Sequence, residues 1–128
     1  MEVVMAKISA FTRGLSHLRV TFSKDFYIGP GRADLLEGID TTGSIAAAGK
    51  RMQMSYKRAW SLVQALNAGW GTPLVETSRG GAGQGGAGLT ADGRFVLERY
   101  RAMQEKTRAA IAAEVASVGK RLDLSEQK

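Results

Sequence analysis

With 128 residues, 44% hydrophobic side chains and a net charge of +6, the chain suits one domain with a modest core and is neither disordered nor membranous by composition. It has no cysteine, which excludes disulfides and thiolate metal sites. No apolar run approaches the roughly 20 residues that cross a bilayer, and Glu2, Lys7 and Arg13 interrupt the N-terminal apolar stretch that a signal peptide would need, so the expected location is cytoplasmic with no membrane partner.

In chain order, residues 1–16 read as a poorly ordered segment or a short helix. In HLRVTF, Leu18, Val20 and Phe22 alternate with Arg19 and Thr21, the period of a half-buried strand. Gly29-Pro30 then opens a first helix over about Pro30 to Ile39, because proline at the first helical position gives up no hydrogen bond. Leu35, Leu36 and Ile39 form its buried face, and DTTG ends it. Ser44 is a good cap for a short second helix, SIAAAGKRM, whose Ala47, Ala48 and Gly49 allow a neighbouring helix to come close. Met52 and Met54 fill the turn that follows.

Ser55 caps a third helix that closes near Gly69. Tyr56, Ala59, Trp60, Val63 and Leu66 lie at helical spacing as its buried stripe, while Lys57, Ser61 and Gln64 occupy another face. Trp60 is expected in the core; Tyr56, near the helix start, suits core and ligand contact equally. TPLVETSR reads as a strand. A run from Gly80 to Gly88 follows, in which six of nine residues are glycine, and GLT returns as a short strand. A final helix from about Ala91 to Leu122 would be roughly 45 Å long at about 1.5 Å per residue, with a tail over 123–128. Its seam of Val96, Tyr100, Met103, Thr107, Ile111, Val115, Val118 and Leu122 keeps a spacing that suits a partner helix.

This order describes a fold that is mainly α with a small β hairpin: a winged helix-turn-helix over 17–90, followed by a long C-terminal dimerisation helix over 91–122. Charge agrees with a nucleic-acid partner. No acidic residue occurs between Asp40 and Glu76, whereas Lys50, Arg51, Lys57 and Arg58 fall inside that window. The same pattern also fits a solvated basic face. The glycine run is no nucleotide loop, since it lacks Gly-Lys-Ser/Thr and a βαβ setting; wing tip and plain flexible turn both remain open on composition alone.

The stretches GSIAAAGKRMQMSYKRAWSLVQALN and PLVETSRGGAGQGGAGLTADG resemble the DNA-binding domain of LysR-type regulators, and more closely the N-terminal domain of the molybdate-responsive ModE family. That family's Ser-Tyr-Lys-x-Ala-Trp recognition helix is matched by Ser55, Tyr56, Lys57, Ala59 and Trp60, and its glycine-rich wing by Gly80 to Gly88 before Leu89 and Thr90. The resemblance covers about 17–120. It implies double-stranded DNA as partner, a homodimer, and a DNA-contacting set of Ser55, Tyr56, Lys57, Arg58, Ser61, Gln64, Arg79, Gly83, Gln84, Gly85 and Thr42. The dimer contacts are expected at Val96, Tyr100, Met103, Ile111, Val115 and Val118.

ModE-type regulators carry molybdate-binding domains beyond the long helix, and the resemblance stops before them. The expectation is a stand-alone DNA-binding half that binds no molybdate tightly and holds no cofactor or metal. An enzyme is not expected: His17 is the lone histidine, placed at a strand edge, and Glu37 and Asp40 read as a solvated helix face. Two other readings use the same residues. One is a truncated partner that heterodimerises with a full-length regulator; the other is a nucleoid-type protein that binds any duplex equally.

Overall fold

In the computed structural model, which describes residues 13–79 and 85–126, the chain divides into two compact units: Arg19–Arg101, and Met1–Leu18 together with Ala102–Lys128. The first unit begins with a small antiparallel pair, β1 (Val20–Ser23) and β2 (Phe26–Ile28), whose register shifts between Thr21 and Ser23. The expected strand over HLRVTF therefore starts later, and its return partner was not foreseen. The burial differs too. Phe26 and Ile28 of β2 enter the core, while Phe22 is exposed and His17 precedes the strand.

Helix α1 (Pro30–Thr42) starts on Gly29 with Pro30 in its first turn, as the sequence indicates. It runs three residues past Ile39, to Gly43, whose φ of 73° lets the chain leave through the left-handed region that glycine tolerates. Helix α2 (Ile45–Arg51) is capped by Ser44, whose hydroxyl oxygen accepts from the Ala47 amide at 3.0 Å. Its small residues fit its neighbours. A Cβ on Gly38 of α1 would meet the Ala48 Cβ at 3.0 Å, and one on Gly49 would lie 2.9 Å from the Ala59 Cβ of the next helix. Alanine and glycine at these crossings are what let three short helices share one core.

The turn closes with the Met52 and Met54 amides both donating to the Gly49 carbonyl at 3.0 Å, and Gln53 takes a positive φ of 59°. Met52 and Met54 are half-buried. Ser55 then caps α3 (Tyr56–Trp70), its oxygen accepting from the Arg58 amide at 3.1 Å. The helix passes Gly69 and ends at Gly71. Gly69 serves contact rather than termination, since a Cβ there would sit 2.5 Å from the Asp25 carbonyl oxygen.

Strands β3 (Val75–Arg79) and β4 (Gly85–Leu89) form the second antiparallel hairpin, in unbroken register from Val75 opposite Leu89 to Arg79 opposite Gly85. The return strand is longer than GLT, so Gly85, Gly86 and Gly88 belong to the ladder rather than to the tip. Asn67 of α3 anchors the hairpin's start: its side chain accepts from the Leu74 and Val75 amides at 2.8 and 3.2 Å and donates to the Val75 carbonyl at 3.1 Å. Asn67→Ala would leave these partly buried backbone groups seeking water. A loss of about 1–2 kcal/mol in unfolding free energy is expected, measurable by urea denaturation.

Helix α4 (Ala91–Ala110) begins on Thr90, which accepts from the Gly93 amide at 3.0 Å and whose own amide donates to the Leu74 carbonyl at 3.0 Å. Its first half contributes Val96, Leu97 and Tyr100 to a core shared with Ile28, Leu35, Leu36, Ile39, Val63, Leu66 and Leu74. Each such aliphatic side chain contributes about 1.5–3 kcal/mol by leaving water. Arg101 fastens α4 to α1, with bonds of 2.8 Å to Asp34 and 2.7 Å to Glu37. Glu37 and Asp40 are exposed, as the sequence indicates, and Glu37 in addition pairs with Arg101.

In the second unit, helical hydrogen bonds continue from α4 into α5 (Ala112–Glu126): the Ile111 amide donates to Thr107 at 3.2 Å and the Val115 amide to Ile111 at 2.9 Å. The final helix therefore extends beyond Leu122, with only a local irregularity at Ile111. Arg13 lies across the buried Gly119 and pairs through both guanidinium nitrogens with Asp123, at 3.1 and 3.3 Å, which holds that carboxyl below the usual range.

Candidate nucleic-acid interface

The outer surface of α3 follows from its inner one. Ala59, Val63 and Leu66 are buried at i, i+4 and i+7, so the opposite side must carry Lys57, Ser61 and Gln64 at the same spacing. All three are exposed, as are Ser55 and Arg58. Lys50 and Arg51 are exposed at the end of α2. None of Lys50, Arg51, Lys57 and Arg58 joins an ion pair among the described residues. Lys57 and Arg58, in the first turn of a helix whose dipole adds positive potential there, form a surface suited to phosphate, while Arg51 borders a cleft that Asp34 and Glu37 also line.

Tyr56 and Trp60 correct the sequence reading. Their rings stack with centroids 6.4 Å apart and planes 19° from parallel, and they stay 56% and 38% exposed. Trp60 is not a core residue. The buried arc of α3 is narrow and already filled by Ala59, whose methyl abuts Gly49; an indole one position further round lies at the margin.

The wing stands beside this helix and is tied to the first one. The Ala87 amide of β4 donates to the Gly43 carbonyl at 2.9 Å, so the end of α1 extends the hairpin's hydrogen bonding. Arg79 and Gly85 face each other where the paired part of the wing closes. Gly83 and Gln84 lie outside the described residues. Thr42 is occupied locally: its hydroxyl lies 2.7 Å from the Gly38 carbonyl and accepts from the Ser44 amide at 3.2 Å, which steadies the turn between α1 and α2. The anchors Asn67, Thr90 and Gly43 were missed by sequence reasoning. Only Thr90, three residues before Gly93 at a helix start, carried a readable signal.

The expected dimer seam divides. Val96 and Tyr100, 7% and 1% exposed, are spent on the chain's own core and offer nothing to a partner. Met103, Thr107, Ile111 and Val115 are half-buried, whereas Val118 and Leu122 are exposed. A groove of about 470 Å³ runs along Ile111, Val115, Val118 and Leu122, bordered by Arg13 and Gly119. No helix among the described residues is long and apolar enough to cross a membrane.

Residues 33–94 match the bacterial regulatory helix-turn-helix protein family, lysR type. Among curated proteins, the molybdenum-pterin-binding protein MopB of Rhodobacter capsulatus is 39% identical over 97 residues, 76% of this chain and 34% of its own length. The DNA-binding transcriptional dual regulator ModE of Escherichia coli K12 is 35% identical over 83 residues, 65% of this chain and 32% of its own length. The chain thus spans about a third of the length of these relatives. Among solved structures, the CbnR_DBD–DNA complex matches with a TM-score of 0.52 and 28% identity, over 68% of this chain and 95% of that one. The winged helix-turn-helix, its capped third helix and these similarities agree: residues 33–94 form a helix-turn-helix domain of the bacterial regulatory lysR family, in a chain similar to MopB over 76% and to ModE over 65% of its length.

Proposed function

We propose that this protein is a homodimeric transcription regulator that reads a pseudo-palindromic operator, with α3 in the major groove. The observation that carries the reading is the outward stripe of Lys57, Ser61 and Gln64, which lies opposite the buried stripe and within a stretch free of acidic residues. In this reading Lys57, Arg58, Ser61 and Gln64 meet base edges and phosphates. Ser55 and Thr42 stand near the backbone, and the wing, with Arg79, Gly83, Gln84 and Gly85, adds contacts beside the groove. The names of the molybdenum-related relatives support a link of the regulated genes to molybdenum handling.

The dimer is proposed to form through the second unit, with Met103, Ile111, Val115 and Val118 facing a second copy. A half-buried to exposed apolar row along a helix supports that assignment, since two copies about a two-fold axis would cover it and leave no open end. The proposal thereby drops Val96 and Tyr100 from the partner surface.

Lys57→Ala tests the placement of α3. The side chain is exposed and unpaired among the described residues, so its loss should spare the fold. A phosphate contact removed would flatten the slope of log affinity against log salt by about 0.9. A base contact removed would cost about 1–3 kcal/mol at one operator position only. Fluorescence anisotropy across a salt series separates the two. Wild-type binding by the variant at every salt concentration would refute the placement.

A further inference from the structure

The last anchored turn of α4 meets α1 through charge. Val96, Leu97 and Tyr100 are the side chains of α4 that enter the core, and among the described residues none beyond Tyr100 on that helix is buried. Arg101 follows at once, as the final residue of the winged unit. Its guanidinium reaches two carboxylates one turn apart on α1. Nη2 donates to Asp34 at 2.8 Å and to Glu37 at 2.7 Å, and Nε donates to Glu37 at 3.1 Å. We propose that this clamp is a positioning contact that sets which half-site spacing the protein accepts on DNA. The inference rests on the two-half-site reading above and adds to it a residue that acts through the course of a helix rather than by touching DNA.

Magnitudes decide between a stabilising role and a positioning one. The side chains of Asp34 and Glu37 are 55% exposed and that of Arg101 32%, and ion pairs so open to water add little to stability. What they add is direction. Apolar contacts are non-directional, and packed helices scatter by about 15–20° around their favoured crossing angles. Ala110, the end of α4, lies nine residues beyond Arg101, about 14 Å away at about 1.5 Å per residue. A swing of about 15° over that length displaces the helix end by roughly 3.5 Å, which is one step along a DNA strand of about 3.4 Å. Three hydrogen bonds from a planar fork to two carboxylates fix an orientation that Val96, Leu97 and Tyr100 alone leave loose.

The test compares the wild-type chain with Arg101→Ala, with the pair Asp34→Ala and Glu37→Ala, and with all three changes together. The probes are a duplex selected by the wild-type chain from a random pool, the same duplex with one or two base pairs inserted between its half-sites, and a duplex carrying one half-site. Circular dichroism and light scattering check that each variant keeps its helices and its mass. For the wild type, each insertion should lower affinity about tenfold or more, since a rigidly held second unit then misses its half-site. Arg101→Ala should bind the single half-site as the wild type does and lose no more than about threefold on insertion, the flatter profile of a looser tether. Removing the two acids should give the same flat profile, and the triple variant should add nothing further. Equal spacing profiles for Arg101→Ala and wild type would overturn the inference. So would a steep profile after removal of the acids, or a loss on the single half-site as large as that on the selected duplex, because the clamp would then support the fold alone. A wild-type chain indifferent to spacing would overturn the two-half-site reading itself, and this inference with it.

Discussion

Val118→Glu is expected to yield a folded monomer whose operator affinity falls about 100-fold or more. Val118 is 70% exposed, so the charge enters no core, and α5 can keep its helical hydrogen bonds. In a dimer the same side chain would lie within the row of Ile111, Val115 and Leu122 and would place a carboxylate in an apolar contact. Burying that charge unpaired costs several kcal/mol, more than a row of this length can offset. Once the copies separate, each winged unit binds a half-site alone, and the gain from holding the second unit near its half-site disappears. Light scattering reports the mass and anisotropy the affinity. A wild-type monomer at micromolar concentration with full affinity would remove the dimer from the proposal.

Gly93→Ala should cost the fold about 3 kcal/mol, near the upper end for overpacking a well-filled site. A Cβ at Gly93 would overlap the Leu74 carbonyl oxygen and also crowd the Leu89 Cβ. Neither atom sits at the end of a flexible side chain. Leu74 is held by Asn67 at its amide and by the Thr90 amide at its carbonyl, so relief would mean lifting α4 off the start of the wing. A drop of roughly 10 °C in Tm is the expected reading. Gly31→Ala is the control: nothing lies within 4 Å of its Cβ position and its φ is ordinary, so it should be neutral or slightly stabilising. Equal stability of the two variants would show that Gly93 is not a contact glycine.

Local chemistry made much of this fold legible. Pro30, Ser44 and Ser55 mark three helix starts because each solves the problem of unpaired amides at a helix N-terminus, a problem that depends on neighbouring residues alone. The small residues of α2 announced close crossings, and Gly38 and Gly49 meet Ala48 and Ala59 where those crossings occur. What depended on distant parts of the chain was not legible. Phe26–Ile28 is too short to announce a strand, and it becomes one by pairing with Val20–Ser23 while Phe26 packs on Trp70 at 5.3 Å. Apolar periodicity could not say which part of the last helix serves its own core. Val96 and Tyr100 share the period of Ile111 and Val115 and differ only in what lies opposite them. Trp60 failed for a related reason: spacing identifies a stripe but not its width, and Ala59 had already filled the middle.

Of the interface, the cations of α3 were legible because an acid-free window is a property of sequence. The exposed Tyr56–Trp60 pair was not, since the surface across from it is the wing. The wing's attachment to Gly43 was equally hidden, being a backbone bond between residues far apart in the chain.

Selection of bound sequences from a random duplex pool by the purified wild-type chain, followed by affinity measurement at physiological salt, tests the central claim most directly. The expected result is enrichment of a two-fold related pair of half-sites spaced by about one helical turn, roughly 34–36 Å, or a multiple of it. The selected duplex should be bound at least 1,000-fold more tightly than arbitrary sequence, within the usual range for specific regulators. Uniform affinity for every duplex, or no retention of any, would contradict the claim that α3 reads DNA sequence.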